Sequence, residues 1–413
     1  MATLAQIPVG HEPYYELRVE GTRLRDDYLR HIRGGPRVRF DVDKAGMLQL
    51  TVDELVDGQA TAEIIDGKAF AEGNMIEYWV SGGSLRPPIC RGRFELMLPA
   101  VRGGAGGRTL EATGLTADHR LASHTDPFAA DAKTLDHEIV ATLAATHGLD
   151  ADIDTGTLPR SKPRVKVAGT SDFTFLDELA RTARNREGAA YRWWVRFDPN
   201  ARGGRGADVL HFQPFTVDPT QEEVIFNFVP YYDDGGEWHA TLRRFEATPS
   251  LKGMPSKMVL RYTDLTAGEE REIVIQLTEQ SSAPSVLFVG QAGKAKIEQE
   301  IKDGAAIAVT AFGGRDAFLG HLMFRNGEEA AAYGLALFRE QQLAFVSLEA
   351  AVVGVETLMP WGLHLLRGMS SRLDGRYMIT SVEDVWGGGD LAFAMDITAN
   401  RVPDAKDAPE AVR

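Results

Sequence analysis

The sequence predicts a mainly β (α+β) protein: two similar small antiparallel β-barrel modules, an inserted α+β region and a further β-rich region. Three observations predict it. Apolar and polar residues alternate with period two through most of the first 120 residues and again near the C-terminus. Helical periodicity is confined to a few segments between those ends. Finally, the two ends echo each other. Near the start, a turn at Gly73 leads into residues 75–80, then 92–96, then 110–114; near the finish Gly362 opens 363–366, then 375–379, then 391–395. Gly92-Arg93-Phe94 and Gly375-Arg376-Tyr377 stand at the same place in each series.

Taken in order, residues 1–122 read as the first module. Leu48, Leu50 and Val52 face one way and Met47, Gln49 and Thr51 the other; Phe94, Leu96 and Leu98 likewise oppose Arg93, Glu95 and Met97. One face of the sheet is therefore buried. The glycines of residues 103–107 mark a flexible hairpin connection. Residues 123–218 form the inserted α+β region. Leu135, Ile139 and Leu143 stack on a helix from about 134 to 147 that Gly148 ends. Leu176, Leu179, Ala180 and Ala183 share a face of a second helix from about 171 to 187, with Ser171 as N-cap and Gly188 at the stop. Strands follow at about 191–197 and 209–212, separated by a mobile loop at 199–206.

Residues 219–325 return to strands. Met258, Leu260 and Tyr262 alternate with Lys257, Val259 and Arg261, and Ile273, Ile275 and Leu277 with Glu272, Val274 and Gln276. The polar stretch 280–284 reads as a linker. Residues 326–402 carry a helix and the second module. Asn326, with Glu329 three residues on, opens a helix bearing Ala330, Tyr333 and Leu337 to about residue 341, and Ala344, Val346, Leu348, Ala350 and Val352 share a face of the next strand. Residues 403–413, with Pro403, Asp404, Lys406, Asp407, Pro409 and Glu410, have little to bury and read as a disordered tail.

At 413 residues the chain fits roughly two to four domains, and 44% apolar residues are enough to give each a core. A net charge of −14 opposes non-specific binding to nucleic acid or anionic membrane, which needs a positive field. The single cysteine, Cys90, excludes an intrachain disulfide and any multi-cysteine metal site, and fits folding in a reducing cytosol. The first residues have no basic and apolar leader pattern, and no uncharged apolar run approaches the ~20 residues that span a bilayer. No stable membrane insertion is expected.

Catalytic signatures fail on spacing. There is no Gly-x-Ser-x-Gly elbow, and the glycine clusters lack the Gly-Lys-Ser/Thr ending of a phosphate-cradling loop. His119 and His124, with Asp118 and Asp126 nearby, miss by one residue the i, i+4 spacing of a zinc pair on a helix. His137 and His147 lie ten positions apart on one helix and read as solvated or capping histidines. Asp233, Asp234 and Glu237, around Gly235 and Gly236, read as a solvated turn, since calcium loops space their ligands more widely. Paired carboxylates for glycoside hydrolysis leave no signal among 59 acidic residues. Of the aromatic groups Tyr78-Trp79, Tyr191-Trp193-Trp194 and Tyr231-Tyr232, Trp194 reads as core and the Tyr231-Tyr232 pair as a contact surface. No catalytic residue, metal ligand or cofactor site is assigned.

In the order of its segments the chain resembles the late control D family of phage tail proteins, the baseplate hub proteins of contractile tails, whose fold also forms the hub part of VgrG-type spikes. The resemblance runs through residues 41–50, 70–76, 91–94 and 110–118, a helix ending His147-Gly148-Leu149, the segment 170–180, and then 326–334, 353–362 and 374–382. It spans most of residues 10–400, and its specificity lies in colinearity, since none of these segments is a catalytic fingerprint. The resemblance implies tube-type barrel modules and a non-enzymatic homotrimer. A chain carrying one module twice presents six when it trimerises, which suits a three-fold object docking on a six-fold tube. Implied partners are a hexameric tail tube protein, a spike protein and baseplate wedge or tape-measure proteins, with DNA passing through the lumen without specific binding. The implied location is the tail baseplate of a virion or injection particle, assembled in the host cytoplasm. Strands around residues 75–80, 363–366 and 391–397 are expected to form the ring. The alternatives are a β-rich cell-wall hydrolase or carbohydrate-binding protein, and another tail component such as a tube initiator.

Overall fold

The structure is a computed structural model that describes residues 3–4 and 12–401, apart from 57–58, 61–64, 83–86, 98, 105–106, 160–162, 186–188, 215–223, 229–230, 233–237, 250–254, 256, 279–280, 290–315, 325, 343–345, 371–372 and 388–392. The alternation of the first 120 residues becomes β1 (Tyr14–Val19), β2 (Arg37–Asp41), β3 (Met47–Asp53), β4 (Met75–Ser81), β5 (Ile89–Leu96), β6 (Ala100–Gly104) and β7 (Gly107–Leu115). Leu48, Leu50 and Val52 are buried, and β7 lays Gly114, Ala112 and Leu110 opposite them. Gly114 is small because Phe94 needs the space: a Cβ there would stand 2.9 Å from that of Phe94. The hairpin of β6 and β7 closes at Gly104 opposite Gly107, and all five residues of β6 are exposed.

The inserted region follows as α1 (Asp136–Thr146), β8 (Asp150–Ile153), β9 (Arg164–Lys166), α2 (Asp172–Thr182), β10 (Tyr191–Asp198) and β11 (Ala207–Pro214). Its three-stranded sheet runs β8-β11-β10. Ile139, Val140 and Leu143 of α1 and Phe175, Leu176 and Leu179 of α2 share one core with Tyr191, Trp193, Leu210 and Phe212. Both caps form as expected: Ser171 Oγ accepts the amide of Thr174 at 3.2 Å, and Gly148 takes a left-handed φ of +68° after α1. One expectation fails here. Helix α2 stops at Thr182, whose hydroxyl turns back to the carbonyl of Glu178 at 2.7 Å, and Ala183 is extended so that Arg184 can bridge Ala190. The loop at 199–206 contains a tight turn at Ala201–Gly204, with Arg202 Nη2 2.6 Å from Asp150 Oδ1.

Then come β12 (Val224–Asn227), β13 (Leu242–Pro249), β14 (Lys257–Asp264), β15 (Glu269–Thr278), β16 (Ser281–Val289), β17 (Asp316–Phe324) and α3 (Gly327–Gln342). Strands β16-β15-β14-β17 make a separate sheet, on which Ala330, Ala331, Leu335 and Phe338 of α3 pack against Met258, Leu260, Ile273 and Ile275. Asn326 caps α3, its Oδ1 accepting the amide of Glu329 at 3.1 Å. The expected linker is instead strand: Ser281 pairs Thr278 and Pro284 pairs Leu277. Polar residues and a proline suit an edge strand, and β16 pairs on one side alone among the described residues. Ala344 and residues 403–413 lie outside the described residues.

The chain ends in β18 (Val346–Val353), β19 (Leu363–Arg367), β20 (Gly375–Trp386) and β21 (Phe393–Arg401). The internal echo is real at the level of strand order. The first module pairs β1-β4-β5-β7-β3-β2, and the second pairs β12-β19-β20-β21-β18-β13. Ranked by chain order within each six, both read 1-4-5-6-3-2. The second module thus draws β12 and β13 from residues 224–249, ahead of the separate sheet. The expected barrels do not close among the described residues. The outer edge of β2 is taken by β20, with Asp41 to Val38 opposite Ser381 to Asp384, so both modules flow into one fifteen-stranded sheet around a common core. The strands expected to form a ring are interior: β4 lies between β1 and β5, β19 between β12 and β20, and β21 between β18 and β20. Their backbone edges are already paired, so any contact with another chain would use their faces or other edges.

Candidate functional site

The two modules meet at a buried polar cluster. Strand β20 is long enough to pair β19 with its first half and to reach β2 with its second. That second half carries Asp384 into the core, where β5 supplies Arg91; both side chains are 0% exposed. Arg91 Nη2 donates to Asp384 Oδ1 at 3.0 Å, Nε lies 2.9 Å from Oδ2, and Nη1 donates to the carbonyl of Glu356 at 2.7 Å. Tyr78 of β4 donates its hydroxyl proton to Asp384 Oδ2 at 3.0 Å and accepts from Trp386 Nε1 at 2.8 Å. Burial pushes the carboxyl of Asp384 up, and the guanidinium beside it opposes that rise. The indole of Trp386 stacks on Phe393 at 4.4 Å and meets the edge of Tyr15 at 5.0 Å. Chemically this is a clamp: a buried ion pair oriented by hydrogen bonds from both Arg91 Nη atoms and from Tyr78, which ties first-module strands to second-module strands.

A second cluster gathers histidines that the sequence separates. His124 Nδ1 lies 2.6 Å and His147 Nε2 2.7 Å from the same Asp172 oxygen, and Lys166 donates to the other. Burial would push the Asp172 carboxyl up, but hydrogen bonds from Lys166, His147 and His124 hold it below its usual range. His124, His147 and Asp172 are the one group of three metal-type ligands brought together among the described residues. Ligands about 2.0–2.2 Å from a zinc ion stand further apart than these hydrogen-bond distances, so the cluster as built is a four-member hydrogen-bonded knot around the Lys166–Asp172 ion pair. It ties the loop after β7, the end of α1, strand β9 and the start of α2.

The other sequence candidates scatter. Asp118 is buried, accepts from Thr116 Oγ1, and is pushed up to about 6 by burial, while His119 turns to the carbonyl of Thr116 at 2.8 Å and Asp126 is exposed. His137 bonds Thr157 Oγ1 at 2.6 Å. His147 caps α1 but is nearly buried rather than solvated, because Asp172 draws it inward. Tyr78, Tyr191 and Trp193 are core residues. Trp194, expected in the core, points the other way along β10 and is half-buried, stacked on His211 at 5.0 Å. Cys90 is half-buried, its thiol pushed up to about 12 by burial. The acidic turn at 233–237 lies outside the described residues; the backbone of Tyr231 and Tyr232 pairs with Trp238 and His239. Sequence reading missed Arg91, Asp384 and Asp172 altogether. The one available signal was Asp384, a charged residue at an inward position of an alternating strand; Arg91 has the outward phase of Arg93 and Glu95 and turns inward only because a bulge in β5 leaves it unpaired between Cys90 and Gly92.

Two solved structures superpose on nearly the whole chain. The 43 kDa tail protein of prophage MuSo2 from Shewanella oneidensis matches with a TM-score of 0.59 at 13% identity, covering 95% of this chain and 99% of its own. The tail protein from Neisseria meningitidis MC58 matches with a TM-score of 0.57 at 11% identity, covering 95% and 97%. The chain has the fold of these tail proteins. A looser likeness, at a TM-score of 0.48, 11% identity and coverage of 96% and 76%, is to an E. coli component of the type VI secretion system described as similar to the T4 tail proteins gp27 and gp5. No protein-family model and no curated protein matches the sequence. The tail-protein fold agrees with the mainly β class expected from the sequence. No helix among the described residues is long and apolar enough to cross a membrane.

Proposed function

We propose that the chain is the structural hub of a contractile-tail or related injection-system baseplate. Three copies set six like modules around one axis as a pseudo-six-fold ring, which joins a hexameric tail tube to a central trimeric spike. The observation that carries this reading is the repeated strand order 1-4-5-6-3-2 in two modules spliced through β2 and β20. A closed cyclic trimer of a chain with an internal two-fold repeat is the economical way to match three-fold to six-fold symmetry. The buried Arg91–Asp384 clamp supports it, because a ring that transmits force between tube and spike needs the two modules of each chain held at a fixed angle. The fold shared with two tail proteins, one of them from a prophage, supports a tail role. We place the first module at residues 1–122 and the strands that complete the second mainly within 326–402.

The role is non-catalytic. With −14 per chain, a trimer carries three times that charge, and a lumen bearing its share would let DNA slide past without binding. Assembly would take place in the host cytoplasm and the product would reside in the tail of the particle. The carbohydrate-binding reading loses ground because Tyr78, Tyr191 and Trp193 are packed inside.

Native mass and negative-stain imaging of the purified protein test the proposal. The expected result is a ring of three 45.2 kDa chains, about 136 kDa, with a central hole. A compact monomer that stays single when mixed with its tail tube and spike proteins overturns it. A six-membered ring would move the reading to a tube initiator.

A further inference from the structure

Along β21, strand β20 runs from Tyr377 to Trp386; on its other edge β19 pairs Gly375 to Met378, and β2 then takes Ser381 to Asp384. The first module repeats this layout with one piece missing. Strands β5 and β6 together lie along β7: Glu95 and Leu96 face Leu115 and Gly114, and Ala100 to Gly104 face Glu111 to Gly107. Between them the amide of Met97 donates to the carbonyl of Thr113 at 2.8 Å. Strand β4 pairs β5 as β19 pairs β20. So β6 stands where the second half of β20 stands, but among the described residues no strand takes its outer edge. Burial follows the difference. Ser381, Val382 and Asp384 are buried, whereas every residue of β6 is exposed, Val101 by 53%.

The matching partner is unused as well. Strand β13 is to the second module what β2 is to the first, last along the order 1-4-5-6-3-2, and Arg39-Phe40-Asp41 of β2 recurs as Arg244-Phe245-Glu246. One edge of β13 pairs β18; the other is open among the described residues, and Arg243, Arg244, Glu246 and Thr248 are exposed.

We propose that the β6 edge of one copy pairs with the β13 edge of the next, repeating between chains the joint that β20 and β2 make within one. An open strand edge is a row of unmet backbone donors and acceptors that recruits another strand. Because β6 and β13 are different surfaces, the contact is head-to-tail, and such a contact either closes a ring or grows without end. Every joint, within and between chains, then has the same two strand positions, so the modules alternate and three chains make six like joints. Charge agrees with this pairing. In the splice, Arg37 of β2 lies 3.2 Å from Glu383 of β20. Arg102 of β6 and Glu246 of β13 offer the same two charges with the strands exchanged. Glu246 also stands opposite Glu349 of β18, a like-charge pair that an arginine from the next chain relieves. The proposal rests on the hub reading for the number of copies and names the surfaces that join them.

Cysteine cross-linking tests it. In the full chain carrying Cys90→Ser, Val101→Cys is combined in turn with Arg244→Cys, Glu246→Cys and Thr248→Cys. Each protein is oxidised, with and without its tail tube and spike proteins, and sized without reductant. Arg39→Cys with Glu383→Cys, directly opposite in the splice, calibrates the reaction within one chain. At least one of the three pairs should give a covalent ring of three 45.2 kDa chains, about 136 kDa. Its yield should exceed by at least about tenfold that of Val101→Cys with Phe318→Cys, an exposed position on β17, since a disulfide needs Cα atoms within roughly 7 Å. A trimeric ring by native mass that none of the three pairs links overturns the proposal and leaves the hub reading in place. A chain that stays monomeric with its tube and spike proteins overturns both.

Discussion

The first and second modules share one strand order but not one set of joints. In the first, β1 runs antiparallel to β4; in the second, β12 runs parallel to β19. Strand β5 meets β7 only at Glu95 and Leu96, whereas β20 pairs β21 from Tyr377 to Trp386 and still has an edge left for β2. The insertions differ too. The first module ends in β7 and hands the chain to the α+β region, while the second is interrupted after β13 by a four-stranded sheet and α3. The pattern teaches that a repeated module tolerates change at its flanks, where loops leave, and that one lengthened strand is enough to splice two copies into one sheet. The splice brings a cost, a buried charge pair, that neither module would need alone.

The largest expected effect comes from breaking that splice. Arg91→Met strands the Asp384 carboxylate in the core and should cost about 3–5 kcal/mol in denaturant unfolding. Pairing it with Asp384→Asn should recover a good part of the loss, because no charge then stays buried alone. A double variant no better than the single one would show that the clamp is not an isolated pair.

Asp118, just beyond β7, probes the joint that the second module lacks. Its folded carboxyl is pushed up to about 6 by burial, above its unfolded value. The folded state then holds the extra proton between about pH 4 and 6, so its contribution is full below pH 4 and is lost as pH rises through 6, by about 2–3 kcal/mol. Asp118→Asn should flatten that part of the stability profile; an unchanged slope from pH 4 to 6 refutes the assignment. Next in size, Tyr78→Phe removes the hydroxyl that links Trp386 to Asp384 and should cost about 1–2 kcal/mol, with a change in Trp386 fluorescence. Smallest of all, Arg102→Ala on the exposed β6 breaks a surface pair with Glu111 and should move stability by less than about 0.5 kcal/mol in the monomer. A large loss there in an assembled ring alone would mark the hairpin as a contact between chains.

Much of the fold was legible because its causes are local. Alternation at Leu48, Leu50 and Val52 required one buried face, and Ser171 and Asn326 announced their helices through side chains that reach three residues ahead. Local signals also misled. Gly188 marked the helix stop too late because Thr182 and Ala183 had already turned the chain, and polar Ser281 to Pro284 hid an edge strand. The candidate site was almost illegible: Arg91 and Asp384 lie 293 positions apart, and His124 and Asp172 48 apart. No spacing rule acts at such distances.

The sequence by itself determined the mainly β class, the helix caps, the acidic charge and the repetition of one module, since each is written in neighbours within a few residues. Only the tertiary structure decided that the two modules merge through β2 and β20 instead of closing as barrels, and that Arg91 meets Asp384. Strand edges carry the same backbone donors and acceptors whatever their side chains. Which edge pairs with which is therefore settled by how the whole chain packs, and the buried charges follow from that choice.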